Sequence, residues 1–274
     1  MKGYRTARPL DVIEPAERSI DVSRIFITGS ADGLGQLVAG RLLKQGHEVV
    51  LHARNEARAR DAVDALPDAA GALSGDLASI AETRELARRA NRSGRFDVVI
   101  HNAAVGYREP RIETVDGLEH VFQINVLAPY LLTALMARPS RLIYLSSGMH
   151  LGGQVALDDL QWIRRRWNGA QAYSDSKLYD VVIAFAVARL WPDVSSNAVD
   201  PGWVPTKMGG RGAPGDLDQG TETQVWLATT PDPPTGGYFY HRRPHRTHPA
   251  ASDPAVQDGL LDACASLTGV ELPI

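Results

Sequence analysis

Tyr173 and Lys177, four residues apart, are the side chains in this sequence best suited to moving a proton. On a helix, positions i and i+4 share a face, so a phenol and an ammonium at this spacing can point into one cleft. A phenol ordinarily ionises near pH ~10. A nearby cation favours the phenolate and lowers that value, so such a tyrosine can exchange a proton near neutral pH. Upstream, Ser146 and Ser147 end an apolar run. Adjacent residues of a strand point to opposite faces, so only one of these hydroxyls can face a cleft, where it could polarise a carbonyl. Each feature has a plain alternative when taken alone: an amphipathic tyrosine with a solvated lysine, or a strand-end hydroxyl bonded to local backbone.

A second cluster, Thr28-Gly29-Ser30-Ala31-Asp32-Gly33-Leu34-Gly35, suits phosphate chemistry. It follows an apolar run and opens a helical pattern, the context a dinucleotide site requires. Glycine has no Cβ, so the backbone can turn sharply and approach a pyrophosphate. The helix N-terminus adds free N–H groups and partial positive charge. The alternative is a tight strand-to-helix turn without a ligand.

These clusters sit in a chain of alternating elements. Short apolar runs occur at 24–28, 48–51, 71–75, 97–101, 141–147 and 196–200. Helical periodicity occupies 34–45, 55–66, 79–92, a stretch around 114–136 and another around 171–190. Strands alternating with helices predict an α/β fold, a doubly wound parallel sheet (Rossmann fold) with helices on both faces. The alternation never divides into two blocks, so one domain is expected over 23–274, preceded by a surface arm at 1–22. Residues 205–236 are rich in Gly, Pro and Asp and read as a mobile segment.

Composition narrows the functional classes. With 274 residues, 44% of them hydrophobic, the chain can bury a large core. The formal charge of −3 offers no field for nucleic acid or a membrane surface. The single cysteine, Cys264, cannot form an internal disulfide, and no apolar run is long enough to span a bilayer. A cytoplasmic protein is expected. Among His241, His245 and His248, Pro244 breaks any helix that would align the imidazoles, so no metal site is expected there.

Taken in order, the motifs resemble the short-chain dehydrogenase/reductase family over about residues 24–240. The glycine cluster has the family's T-G-x-x-x-G-x-G spacing. Asp76-Leu77 matches its acidic position near the adenine. Asn102-Ala103-Ala104 matches its Asn-Ala-Gly turn, with Ala104 in place of Gly, and Asn125 matches its helix-four asparagine. Tyr173-Ser174-Asp175-Ser176-Lys177 matches Tyr-x-x-x-Lys, and Pro201-Gly202 matches the turn after the sixth strand. The resemblance implies catalytic roles for Asn125, Ser147, Tyr173 and Lys177, and favours Ser147 over Ser146. It implies cofactor contacts from Thr28, Gly29, Ser30, Asp32, Gly33, Leu34, Gly35, Arg54, Asp76, Leu77, Asn102, Ala103 and Ala104. It also implies them from Tyr173, Lys177, Pro201, Gly202, Val204 and Thr206. Asn125 would kink its helix and hold a water linking Lys177 to solvent, and residues 207–225 would cover the substrate as a lid.

The long gap between Ser147 and Tyr173, with Ser147-Gly148-Met149-His150, is similar to the retinol dehydrogenase and protochlorophyllide reductase branch. Residues 148–170 would either form part of the substrate wall or be an exposed basic helix. His150 reads as a loop residue. Trp162, Trp167, Trp203 and Met208 suggest an apolar pocket. Cofactor choice rests on Leu51-His52-Ala53-Arg54-Asn55. The position where a carboxylate would bind the ribose of NAD is Ala53, and Arg54 can pair with the 2′-phosphate of NADP. The plain alternative for Arg54 is a pair with Glu56, and Asp32 in the glycine loop argues against a phosphate; NADP is expected, with NAD as the alternative. The implied activity interconverts a small-molecule carbonyl and alcohol by hydride transfer. A non-catalytic NADP-binding regulator and a reductase of carbon–carbon double bonds fit the same residues. The resemblance also suggests a homodimer or homotetramer, with a monomer as the alternative.

Overall fold

The computed structural model describes residues 22–274, so the expected arm lies outside the described residues apart from Val22. Six strands follow the sequence rhythm: β1 (Arg24–Ile27), β2 (Glu48–Ala53), β3 (Gly71–Ser74), β4 (Val98–His101), β5 (Arg141–Leu145) and β6 (Ser195–Val199). Two short ones, β7 (Tyr238–Tyr240) and β8 (Arg243–Pro244), complete the sheet. Among the described residues the order is β3-β2-β1-β4-β5-β6-β7-β8, parallel throughout except for antiparallel β8. This is the expected doubly wound α/β sheet. Its order reverses between β1 and β4, where an open sheet of this kind leaves a crevice at the carboxyl ends of its strands.

Alternation along the strands divides the core into two layers. Ile25, Ile27, Val49 and Leu51 pack on one face with Val38 and Leu42 of α1 (Gly33–Lys44) and Leu227 of α7 (Leu217–Thr229). Phe26, Val50 and Val99 face the other layer. There they meet α3 (Ile80–Arg92), α5 (Ala128–Leu135), α6 (Gly169–Leu190) and α8 (Pro254–Thr268). α2 (Glu56–Ala65) flanks the β2–β3 edge, started by Asn55, whose side chain accepts the Arg58 N–H at 3.0 Å.

Three departures from the sequence reading have local causes. The helix expected around 114–136 starts later. Asp116-Gly117 makes a turn, with Gly117 at φ 73°, and Glu113 bridges to Glu119. The Glu119 carboxylate then accepts the N–H groups of Val121 and Phe122 at 2.8 and 2.7 Å and starts α4 (His120–Phe122). α4 passes through a π-helical stretch, Gln123–Leu127, into α5. The segment 205–236, read as mobile, contains α7, with Asp216 accepting the Gln219 N–H at 2.9 Å. α8 carries start and stop signals: Asp253 caps, Pro254 occupies the first turn, and Gly269 closes it at φ 67°.

His52 and His101 are buried neutral in this core. Burial pushes His52 down to about 4 and His101 to about 3, from an ordinary 6.5. The unfolded chain therefore takes up protons below about pH 6.5 that the folded chain refuses. Stability is full above that value and falls as the pH drops toward 4 and then 3. His101 stacks on Tyr144; its Nδ1 has no partner among the described residues, and its Nε2 meets the Thr133 hydroxyl at 3.1 Å. That hydroxyl keeps the Tyr144 hydroxyl at 2.7 Å when phenylalanine replaces the imidazole. Urea melts at pH 7 and pH 4.5 should show His101→Phe losing about 2–3 kcal/mol less than the parent over that interval. Equal losses in both proteins would refute the linkage.

Candidate active site

The crevice is a cleft of about 970 Å³. At one end, Gly29 adopts φ 63° and Gly33 φ 58°, regions that favour glycine. A Cβ on Gly29 would lie 2.8 Å from the Ala103 Cα. One on Gly35 would strike the Asn102 amide nitrogen and lie 2.5 Å from the Gly29 carbonyl oxygen. The turn after β1 and the turn after β4 are thus pressed backbone to backbone.

Polar side chains beneath the turn hold this approach. The Thr28 hydroxyl accepts the N–H groups of Asn102 and Ala103, both at 3.0 Å. Asn102 Nδ2 donates to the carbonyls of Thr28 and Gly29 at 2.9 and 3.1 Å. Ser30 Oγ donates to the Ile27 carbonyl and accepts the His52 N–H. His52 Nδ1 accepts the Gly29 N–H at 2.9 Å, which leaves Nε2–H to donate to the Gly75 carbonyl, also at 2.9 Å. Thr28 and Ser30 are therefore not at the cleft wall. Their hydroxyls are buried against backbone and shape the turn from below. His52, which joins the glycine turn to the end of β3, was not singled out by sequence reasoning. Its signal was an imidazole inside an otherwise apolar strand.

Gly29, Asp32, Gly33, Leu34, Gly35, Arg54, Asp76, Leu77, Asn102, Ala103 and Ala104 do line the cleft. Asn102 Oδ1 is buried with no partner among the described residues. Asp32 is paired with Arg58 at 2.8 Å and with Lys207 at 2.6 Å, so its charge is compensated from both sides of the cleft. Glu56 contacts Ser74 and Arg89 rather than Arg54. Arg54 is exposed and makes no ion pair or hydrogen bond among the described residues.

At the other end of the cleft, Ser147, Tyr173 and Lys177 converge. Ser146 turns inward, donating to the Lys177 carbonyl at 2.7 Å, while Ser147 accepts the Met149 N–H at 3.2 Å and faces the opening. Tyr173 and Lys177 project from one face of α6, with Nζ 5.7 Å from the phenol ring centroid. Burial raises the Tyr173 phenol above its ordinary value. Lys177 opposes this, Asp180 adds to it, Ser147 opposes it and Asp200 adds to it, in that order of effect. Lys177 Nζ donates to the Leu145 carbonyl and to Asp180 Oδ2, each at 2.8 Å.

Asn125 does not reach the cleft. Its Oδ1 accepts the Val105 N–H at 2.8 Å, and Nδ2 donates to the Val105 carbonyl and to Ser176 Oγ at 3.1 and 3.0 Å. It ties the loop after β4 to α6 from within the π-helical stretch, so its amide is committed to positioning the wall rather than contacting a ligand.

Pro201, Gly202, Val204 and Thr206 form the third side, with Trp203 and Met208 beside them. The lining reaches Gly209 and stops, so the expected lid over 207–225 is confined to its first residues; the remainder enters α7. The insertion 148–170 gives the cleft wall its first two residues and does not form a basic helix. Only Gly148 and Met149 border the cleft. Beyond them the segment folds on itself: Asp159 accepts the N–H groups of Ile163, Arg164 and Arg165, and Arg165 bridges Asp159 and Asp175. Trp162 and Trp167 pack together there, away from the pocket. His150 is fully buried, Nδ1 bonded to the Ser147 carbonyl and Nε2 accepting the His248 N–H, so it braces the serine turn rather than lying free in a loop.

Residues 23–214 match the family model for short chain dehydrogenases. The chain belongs to the short-chain dehydrogenase family. It is an oxidoreductase acting at the carbonyl and alcohol level. It is 44% identical over 258 residues to the uncharacterized oxidoreductase AN7799 of Emericella nidulans, covering 91% of this chain and 98% of that one. Human retinol dehydrogenase 13 is 31% identical over 293 residues, covering 94% and 88%. A crystal structure of a protein from Mycobacterium paratuberculosis superposes with a TM-score of 0.81 at 26% identity, covering 92% of this chain and 95% of that one.

The close approach of the two turns predicts the effect of a single methyl group. Gly35→Ala should destabilise the chain by about 1–3 kcal/mol, lowering Tm by roughly 2–10 °C. Gly40→Ala, which meets nothing closer than a Leu66 methyl at 3.5 Å, should raise Tm slightly. Calorimetric scans giving equal Tm for both variants would refute the contact.

Proposed function

We propose that this enzyme reduces a carbonyl to an alcohol with NADPH, using Tyr173 as proton donor. The observation that carries the reading is the convergence of Ser147, Tyr173 and Lys177 on the cleft whose far end is the glycine turn. The residues present fit a dinucleotide. Gly29, Gly33 and Gly35 form a cradle that a Cβ would fill or strain, α1 directs its free N–H groups there, and the orphan Asn102 Oδ1 can accept a hydrogen bond from a bound group.

Arg54, without a partner among the described residues, supports NADP over NAD, because an unpaired guanidinium suits a phosphate. Pairing of Asp32 with Arg58 and Lys207 weakens the repulsion it would otherwise exert. Asp76, Leu77 and Ala104 would border the adenine side, and Pro201, Gly202, Val204 and Thr206 the nicotinamide side. When bound, the reduced nicotinamide supplies a hydride. Ser147 donates a hydrogen bond to the carbonyl oxygen and holds it beside Tyr173. The phenol, kept protonated by burial, gives its proton to that oxygen as it becomes an alkoxide. Lys177 keeps one N–H for the cleft and steadies the phenolate left behind.

Turnover assays and NADPH titration test the reading together. Tyr173→Phe should lower kcat by about 10²–10⁴-fold while leaving NADPH affinity within about twofold. Full activity in that variant on a responsive ketone or aldehyde would end the assignment. Arg54→Ser should reduce the preference for NADPH over NADH by roughly 10- to 100-fold. An unchanged ratio would remove Arg54 from the phosphate site.

A further inference from the structure

Asp180 lies one turn beyond Lys177 on α6, so Tyr173, Lys177 and Asp180 form a continuous line on one helix face. The lysine and aspartate side chains are each 3% exposed and meet at 2.8 Å. A charge so buried is retained only with a partner, and among the described residues Asp180 is the one anion that Lys177 touches. We propose that Asp180 is a positioning residue that anchors the Lys177 ammonium and, by its negative charge, keeps Tyr173 in the protonated, proton-donating form. This rests on Tyr173 being the proton donor. It adds a direction, because a phenol held protonated at neutral pH is set to deliver a proton to a carbonyl.

An ammonium alone would draw Tyr173 toward the phenolate. Paired at 2.8 Å with a carboxylate on the same helix, it presents a dipole, and its pull on the phenol is partly cancelled. Its donors are also fixed: one goes to the Leu145 carbonyl at 2.8 Å, one to Asp180, and one remains for the cleft. The other groups acting on Tyr173 come from different elements. Ser147 follows β5, Asp200 follows β6, Tyr238 is in β7, and the Tyr107 ring lies 5.6 Å away. Asp180 itself faces Lys177 and, from β5, Tyr144. Of the two carboxylates acting on the phenol, Asp180 has the larger effect. Burial pushes Asp180 up to about 6 with Lys177 opposing, so it is charged at neutral pH and above.

The sign of the test follows. Removing the charge while keeping the shape, Asp180→Asn, should move Tyr173 ionisation down by about one pH unit. The alkaline limb of kcat/KM for carbonyl reduction should move down with it. Asp180→Glu, which keeps the charge, should restore the limb to within a few tenths of a pH unit. If Asp180→Asn does not fold, Asp180→Ser carries the same expectation. A purely structural role would change Tm and leave the limb in place. Tyrosine labelled with 13C at Cζ, with Tyr173 assigned by its loss in Tyr173→Phe, reads the ionisation by NMR without turnover. A downward move of that ionisation midpoint in an enzyme that turns over no carbonyl would sink the proposed function and spare Asp180. An active enzyme whose limb and NMR midpoint stay put, or move up, would overturn the role of Asp180 alone.

Discussion

The site depends on two backbone turns pressed together at the point where the strand order reverses. Gly29 and Gly35 sit against Ala103 and Asn102 with no room for a side chain between them. Thr28 and Asn102 bind the turns across the gap. Connections that leave β1 and β4 toward opposite edges of the parallel sheet open a crevice there. Close approach of the turns gives that crevice a polar floor lined by backbone. A bulkier residue at either glycine would push the two turns apart and distort the floor of the cleft.

The other end of the cleft obeys a different constraint, the burial of charge. Lys177 projects from a helix that is almost wholly buried, and water cannot satisfy its ammonium. The end of β5 supplies a carbonyl and α6 itself supplies a carboxylate. The same burial that makes this costly keeps the Tyr173 phenol protonated. Polar residues around it are committed in the same way. Asn125 joins the loop after β4 to α6, Ser146 caps a carbonyl of α6, and His150 braces the turn carrying Ser147. Few side chains converge on the opening, and their geometry comes from neighbours that do not line the cleft.

The segments bordering the substrate end differ in how they are held. Residues 203–209 cross the mouth and are tied to the glycine turn through Lys207 and Asp32, an exposed pair that is weak and sensitive to salt. The insertion 148–170 is instead pinned by partly buried pairs from Arg165 and by Arg165 stacked over Trp162 at 3.8 Å. Rigidity on one side and a loosely tethered crossing on the other suit a cleft that must admit a substrate and exclude water.

Strands β1 to β6, the glycine turn and the Tyr173–Lys177 spacing are legible in the chain before it folds, because these depend on local periodicity and on residues that only particular backbones accept. So is the order in which the motifs meet the cleft. Tertiary structure alone decided which polar side chains face the opening. Thr28, Ser30 and Asn125 share their motifs with residues that line the cleft, yet packing turns them inward, and no short-range pattern distinguishes the two fates. The same holds for the 205–236 segment. Its glycines, prolines and aspartates resemble a loose connection, but Asp216 caps a helix there that packs against α1. The partner of Lys177 was also hidden, since an aspartate three residues along a helix is ordinarily a solvated neighbour. It becomes a buried counter-charge only because the whole face of α6 is enclosed by the sheet and by α8.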